Sequence, residues 1–225
     1  MQDINNIIQN YKKKLEELNK DFVPLGYECV FNTQVEEQIK NNQKFIGIVV
    51  MDNPGQEEYQ QKKYLVGTAG KAFNKVLNSV GIKREEVLVF NKSSLTTPAT
   101  GDLNGIYKND KAKDLFLLEQ EITTNVILEI QQLLKIPIMV HGYASYLKNK
   151  KKFIENEKGN RPLYVFFKII ASKPEIKEYI HFYKHSSYGN LSKQITKHCN
   201  ELNIKSINFK QYLELGLINR EGFYE

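Results

Sequence analysis

The stretch "KFIGIVVMDNPGQEEYQQKKYLVGTAGKAFNKVLNSVG", residues 44–81, joins a buried strand to a helix and decides the fold class. Its first eight residues are almost continuously apolar and rich in β-branched side chains, which predicts a strand covered on both faces. From Ala69 the apolar residues recur at helical spacing until Gly81, a glycine typical of a helix C-cap. The polar turn Asp52-Asn53-Pro54-Gly55 follows the strand directly.

The same alternation of strand and helix continues along the chain. Further strands are predicted at "EVLVFN" (86–91), "IPIMVH" (136–141), "LYVFFKII" (163–170) and "EYIHFYK" (178–184). Helices are predicted at 3–19, at about 113–134, from near Ala144 and at 191–202, with a polar loop at 92–106. This order favours an α/β fold with a mostly parallel sheet between helices. The 225 residues fit one domain, and two domains would be cramped.

Polar side chains stand where successive predicted strands end: Asp52 and Asn53, then Asn91, then His141, then His185 with Ser186 and Ser187. Ligands of open α/β sheets bind beyond the carboxyl ends of the strands. Each motif alone has an ordinary structural explanation, because Asx-Pro-Gly forms turns and an Asn after a strand often caps the next element. Their recurrence at consecutive strand ends favours one shared site.

Composition restricts the classes of partner and cofactor. The net charge of +6 is compatible with a polyanion, although Lys-rich and Asn-rich chains are also common wherever coding sequence is AT-rich. Cys29 and Cys199 are far apart, so thiolates alone cannot assemble a zinc or iron–sulfur site, and we expect no metal and no cofactor. The sequence shows neither a signal peptide nor a membrane span, and we expect a soluble, cytoplasmic monomer without an obligate protein partner.

These residues resemble the uracil-DNA glycosylase superfamily, closest to its family-four-like branch, over roughly residues 44–200. The family motif G-E-A-P-G is matched by Met51 to Gly55, and the following F-V-G-x-A-G by Leu65 to Gly70. "GIKREEVLVFN" matches the segment that leads into the second strand and ends at Asn91. "HGYAS" resembles a later L-G-x-x-A motif, and His185-Ser186-Ser187 resembles His-Pro-Ser.

The resemblance implies a three-layer αβα sandwich around a central, mostly parallel four-stranded sheet. It also implies an enzyme of base excision repair that flips uracil or a related deaminated base out of DNA and hydrolyses its glycosidic bond. Asp52 and Asn53 would position the water, with Glu57 and Glu58 matching the acids just after the motif. His185 would donate a hydrogen bond to the leaving base, because the bond breaks toward an anionic base and an oxocarbenium-like sugar.

The base would be read by Asn91, whose single amide offers an acceptor to uracil N3–H and a donor to O4. Leu65 occupies the position of the family's stacking Phe, and its neighbour Tyr64 is expected to substitute for that ring. The DNA-binding residues implied are Gly55, Gly67, Ser187, Tyr188, Lys62 and Lys63. Tyr188 lies where the family inserts a wedge into the minor groove, and the run "KNKKK" (148–152) is either a phosphate contact or a solvated helix end.

The chain departs from the family pattern at four points. Met51 replaces the first Gly of the motif, Leu65 replaces the Phe, Ser186 replaces the Pro, and the four cluster-binding cysteines are absent. Two hypotheses therefore remain: a monofunctional glycosylase, or a weak or inactive member that binds DNA or a nucleotide-like ligand. A generic α/β hydrolase or nucleotide-binding domain has no support, since G-x-S-x-G and P-loop motifs are both missing.

Overall fold

The computed structural model describes residues 2–41, 44–142, 162–186, 189–220 and 223. Its centre is a sheet of four parallel strands: β1 (Gly47–Met51), β2 (Val87–Asn91), β3 (Ile138–His141) and β4 (Ile180–Tyr183). The strands lie in the order β2-β1-β3-β4. The predicted α/β class and the parallel sheet between two layers of helices are confirmed.

Helices cover both faces of this sheet. They are α1 (Gln2–Phe22), α2 (Thr33–Lys40), α3 (Gln56–Gln61), α4 (Thr68–Ser79), α5 (Asp110–Leu134), α6 (Tyr164–Ala171), α7 (Asn190–Leu202) and α8 (Phe209–Ile218). Short 3-10 helices lie at Val23–Leu25, Arg84–Glu86, Thr100–Lys108 and Pro174–Tyr179. None of the described helices is both long enough and apolar enough to cross a membrane.

The side-chain alternation of the strands divides the core in two. Ile48 and Val50 face the layer formed by α1, α2, α5 and α6, whereas Val49 and Met51 face the layer of α4, α7 and α8. Each strand is buried along its whole length, as its apolar sequence predicts. Both free cysteines are buried and belong to opposite layers.

One strand prediction is wrong. Residues 163–170 were expected to form a strand, but Tyr164–Ala171 is the helix α6. Tyr164, Phe166, Phe167 and Ile170 are buried, and Val165 and Ile169 pack partly against the same core. A helix that is apolar nearly all round shows no clear period, so its sequence cannot be told from a buried strand. The helix predicted from Ala144 and the "KNKKK" run lie outside the described residues.

The sheet order creates a switch point beside β1. From β1 the chain passes to β2 on one side and then crosses to β3 on the other, so the strand order reverses between β1 and β3. Ligand sites in open α/β sheets form at such a point, outside the carboxyl ends of the strands. Asp52 directly follows β1, and Gly142 directly follows β3.

Candidate active site

A cleft of about 570 Å³ opens at this carboxyl edge of the sheet. The strand ends contribute Asp52, Asn91 and His185 to its lining, and the segment that leads into α4 contributes Leu65 and Thr68. The loop after β2 adds residues 97–100. The structure thus brings together Asp52, Asn91 and His185, which the strand-end pattern had placed in one site.

Asn91 is the last residue of β2, where the ladder pairs it with Met51 of β1. Its side chain lines the cleft and is only 2% exposed. The amide nitrogen Nδ2 has no hydrogen-bond partner among the described residues. Because an unsatisfied buried amide costs about 1–3 kcal/mol, this nitrogen is suited to a ligand that supplies an acceptor.

Asp52 and His185 face each other at the cleft. The Asp52 atom Oδ2 lies 3.9 Å from Nε2 of His185, and both side chains are partly exposed. Burial lowers the pKa of the His185 imidazole; the Asp52 carboxylate opposes this shift and the Lys92 ammonium adds to it. The imidazole is therefore neutral near pH 7, and a neutral ring still donates one N–H.

Lys92 was not predicted from the sequence as a site residue. It directly follows Asn91, is completely buried, and its Nζ donates to Oδ1 of Asp52 and to the carbonyl of His141. Burial lowers the pKa of this ammonium, and the Asp52 carboxylate opposes that shift. The only sequence signal is a lysine that directly follows an apolar strand, where a solvated side chain is the usual expectation.

The side chain of Asn53 is hydrogen-bonded to the loop after β2. Its Nδ2 donates to Oγ1 of Thr97 at 2.8 Å and to the carbonyl of Leu95 at 3.2 Å. Its Oδ1 accepts from Oγ1 of Thr100 at 2.7 Å. The residue lines the cleft, but its amide fixes the loop after β2. The water-positioning role of Asn53 stays a prediction, and Asp52 carries the carboxylate that faces His185 in the cleft.

Tyr64 is not in the cleft. Its ring is buried in the core, and its hydroxyl donates to the carbonyl of Val30. The expectation that it replaces the stacking aromatic ring is therefore corrected. Leu65 does line the cleft, in a left-handed backbone conformation with φ 56°. An apolar, non-aromatic side chain thus occupies the position beside the expected base.

Glu58 holds the two ends of the segment between β1 and α4 together. Its carboxylate accepts from the backbone N–H of Gly55 at 2.8 Å and from that of Leu65. Burial raises the pKa of Glu58, and these two hydrogen bonds oppose the shift. The Gly55 N–H is thereby occupied by Glu58, and the DNA contact that the resemblance implied at Gly55 stays a prediction.

The remaining DNA-contact predictions have different outcomes. Gly67 caps α4, whose first residue Thr68 lines the cleft, so a helix N-terminus lies at this edge. Lys62 pairs with Glu28 at 3.6 Å, and Lys63 pairs with Glu37 at 3.3 Å. These ion pairs direct both ammonium groups toward acids of the protein. Ser187 and Tyr188 lie outside the described residues.

Two further residues that support the site were also missed. Glu119 of α5 is completely buried and accepts hydrogen bonds from Ser93, Ser94 and Thr123 at 2.6–2.8 Å. It thereby fixes the loop after Lys92. The sequence feature that could have revealed Glu119 is an acid on the apolar stripe of a helix. Gly142 has φ +81°, and a β carbon there would lie 2.7 Å from Oδ1 of Asp52.

No protein-family model and no curated protein sequence matches the chain. Among the described residues, no group of three or more His, Cys, Asp or Glu side chains is arranged to hold a metal ion. The arguments for function therefore come from the geometry of the cleft and from the motifs of the sequence.

Proposed function

We propose that this protein is a monofunctional DNA glycosylase that hydrolyses the N-glycosidic bond of uracil, or of a related deaminated base, during base excision repair. The proposal combines the motif resemblance with the cleft at the carboxyl edge of the sheet. Asp52, Asn91 and His185 line one cleft of about 570 Å³, which is large enough for a flipped nucleotide. The cytoplasmic location stays a prediction.

The observation that carries the proposal is the unpaired amide of Asn91. A buried Nδ2 without a partner among the described residues is a donor held ready for a ligand oxygen. The carboxamide of one asparagine complements the N3–H and O4 edge of uracil, whereas cytosine presents the opposite pattern. Asn91 is therefore the residue that we expect to select the base.

The chemical step requires a donor for the leaving base and a negative group near the sugar. As the bond between C1′ and the base nitrogen breaks, the electron pair leaves with the base, and the oxygen of water then bonds to C1′ and releases a proton. Neutral His185 donates to the base oxygen on which negative charge develops. The Asp52 carboxylate stabilises the cationic sugar and orients the water.

DNA supplies a substrate of opposite charge. The chain has a net charge of +6, which favours association with a polyanion through counterion release. The N-terminus of α4 lies beside the cleft, and helix N-termini bind phosphates well. Lys184 directly precedes His185 in the chain and is exposed, and we propose it as a further phosphate contact.

The direct test is base release from a synthetic oligonucleotide that contains one uracil. In buffer with EDTA and at enzyme excess, we expect free uracil and an abasic site that alkali cleaves. An identical oligonucleotide with thymine is the substrate control, and Asn91→Ala purified in the same way controls for contaminating glycosylase. Absence of release from uracil, hypoxanthine and xanthine substrates would contradict the proposal.

A second candidate function is binding of DNA or a nucleotide-like ligand without cleavage. The observation that favours it is the engagement of Asn53, whose amide is held by Leu95, Thr97 and Thr100. In this case an oligonucleotide with uracil would bind more tightly than one with thymine, and Asn91→Ala would abolish that preference. Binding with this preference but without base release would select this function.

A further inference from the structure

Lys92 is a residue whose burial requires an explanation. Among the described residues, only two side chains of the Asp, Glu, Lys and Arg types are buried, Lys92 and Glu119. Glu119 is explained by its hydrogen bonds to the loop that it fixes. Lysine is almost never fully buried unless it is paired, because desolvation of an ammonium is costly.

The surroundings of the Lys92 ammonium are specific. Two oxygens accept its hydrogen bonds, one from the Asp52 carboxylate and one from the His141 carbonyl. The ring centroid of Phe167 lies 5.4 Å from Nζ, within the range of a cation–π contact. The group is therefore built into the junction where β1, β2 and β3 end.

Stability alone does not account for this arrangement. Buried ion pairs can often be replaced by apolar residues of similar volume without loss of stability. The pair is also asymmetric, because Oδ1 of Asp52 is held by Lys92 while Oδ2 lies 3.9 Å from Nε2 of His185. Gly142 leaves the space that the carboxylate occupies. The four strand ends thus converge on one oriented carboxylate.

We propose that Lys92 is a positioning residue of the site: it holds Oδ1 of Asp52 and thereby directs Oδ2 toward the cleft and His185. Lys92 does not line the cleft, so it acts through Asp52 and not on the ligand. Its effect on the rate of base release rests on the proposed function. Its effect on the protonation of His185 does not.

Titration of His185 gives a readout that is independent of activity. Three charged or titratable groups of the described residues that act on this ring are Asp52 at the end of β1, Lys92 at the end of β2 and His141 in β3. The His185 pKa is lowered by burial, raised by Asp52 and lowered by Lys92. Because Asp52 raises this pKa, the fall in the His185 pKa that Asp52→Asn causes measures how closely the carboxylate faces the ring.

The experiment uses NMR titration of the His185 ring to measure the effect of Asp52→Asn in wild type, in Lys92→Met and in the control Lys75→Met, which alters an exposed lysine of α4. We expect Asp52→Asn to lower the His185 pKa in wild type and in Lys75→Met. The fall should be much smaller in Lys92→Met, because the carboxylate is no longer held toward the ring. In single-turnover assays, Lys92→Met should slow base release about 10- to 100-fold, the loss typical of residues that orient an active-site ligand. A fall in folded Lys92→Met as large as the fall in wild type would overturn the proposal.

A double-mutant comparison tests whether Lys92 acts through Asp52. Lys92→Met added to Asp52→Asn should change the rate less than about twofold, because no oriented carboxylate remains. A further loss of tenfold or more would overturn the proposal. The double variant lacks both charges of the ion pair, so it can be tested even where Lys92→Met alone does not fold. If the wild type releases no base, the glycosylase proposal fails, while the titration still decides the role of Lys92.

Discussion

Gly142→Ala places a methyl group against the Asp52 carboxylate, on the side where the glycine leaves space for it. Gly142 has φ +81°, and a left-handed conformation costs an alanine about 1–2 kcal/mol. A β carbon would also lie 2.7 Å from Oδ1 and 3.0 Å from Oδ2 of Asp52. Ordinary carbon contacts begin near 3.5 Å, so the carboxylate must move by about 0.5–1 Å against its Lys92 partner. Such overpacking costs about 1–3 kcal/mol more.

The matched control is Gly81→Ala. Gly81 has φ +80°, but a β carbon there has no neighbour within 4 Å, so the variant carries the backbone strain alone. In urea unfolding at pH 7 we expect Gly81→Ala to lose about 1–2 kcal/mol and Gly142→Ala to lose about 2–5 kcal/mol. In thermal unfolding, each kcal/mol corresponds to about 2–4 °C for a chain of this length. Equal losses in the two variants would refute the reasoning that Asp52 is held in place from this side.

Three other perturbations test separate parts of the structure. In urea unfolding, Gly70→Ala should lose about 1–3 kcal/mol, because its β carbon would overlap the Leu65 carbonyl. The control Gly101→Ala, whose β carbon has no neighbour within 4 Å, should change stability by less than about 0.5 kcal/mol. Burial lowers the pKa of His141 to about 3. Neutral His141 therefore stabilises the fold fully above about pH 6.5, and this stabilisation is lost at about 1.4 kcal/mol per pH unit as the pH falls toward 3. Between pH 6.5 and pH 5, wild type should lose roughly 2 kcal/mol of unfolding free energy that His141→Phe does not lose. Asn91→Asp should slow uracil release about 10- to 100-fold, because a carboxylate has no donor for uracil O4. It should also make cytosine release measurable, because a protonated carboxyl group donates to cytosine N3. Uracil release at the wild-type rate would contradict the base-reading role.

Much of the fold follows from local pattern. The apolar run at 44–51 predicts β1, and the helical spacing that ends at Gly81 predicts α4, since β-branched runs and capping glycines have direct physical causes. Residues 163–170 show the limit of this reasoning, because an apolar helix packed against α5 and the sheet has no polar face to reveal its period. The helix α8 was also missed, although Asn208 caps it with an N-terminal hydrogen bond at 3.0 Å.

Site residues whose positions depend on sheet topology could be predicted from the sequence. Those whose positions depend on side-chain packing could not. Parallel strands put Asp52, Asn91 and His185 at one edge, and that rule requires no knowledge of side-chain orientation. Tyr64 and Leu65 are neighbours, and only the path of the loop decides which of them reaches the cleft. Lys92 was missed because its burial depends on an acceptor 40 residues earlier in the chain.

The central claim is that His185 assists departure of the base in the cleft, and the most direct measurement is single-turnover uracil release by wild type and His185→Ala. The account predicts release by the wild type and a rate about 10²–10³ lower in the variant, the loss typical of one removed oxyanion donor. DNA affinity and its salt dependence should be the same for both proteins, since phosphate contacts elsewhere supply most of the binding. Uracil release by His185→Ala at the wild-type rate would contradict the account.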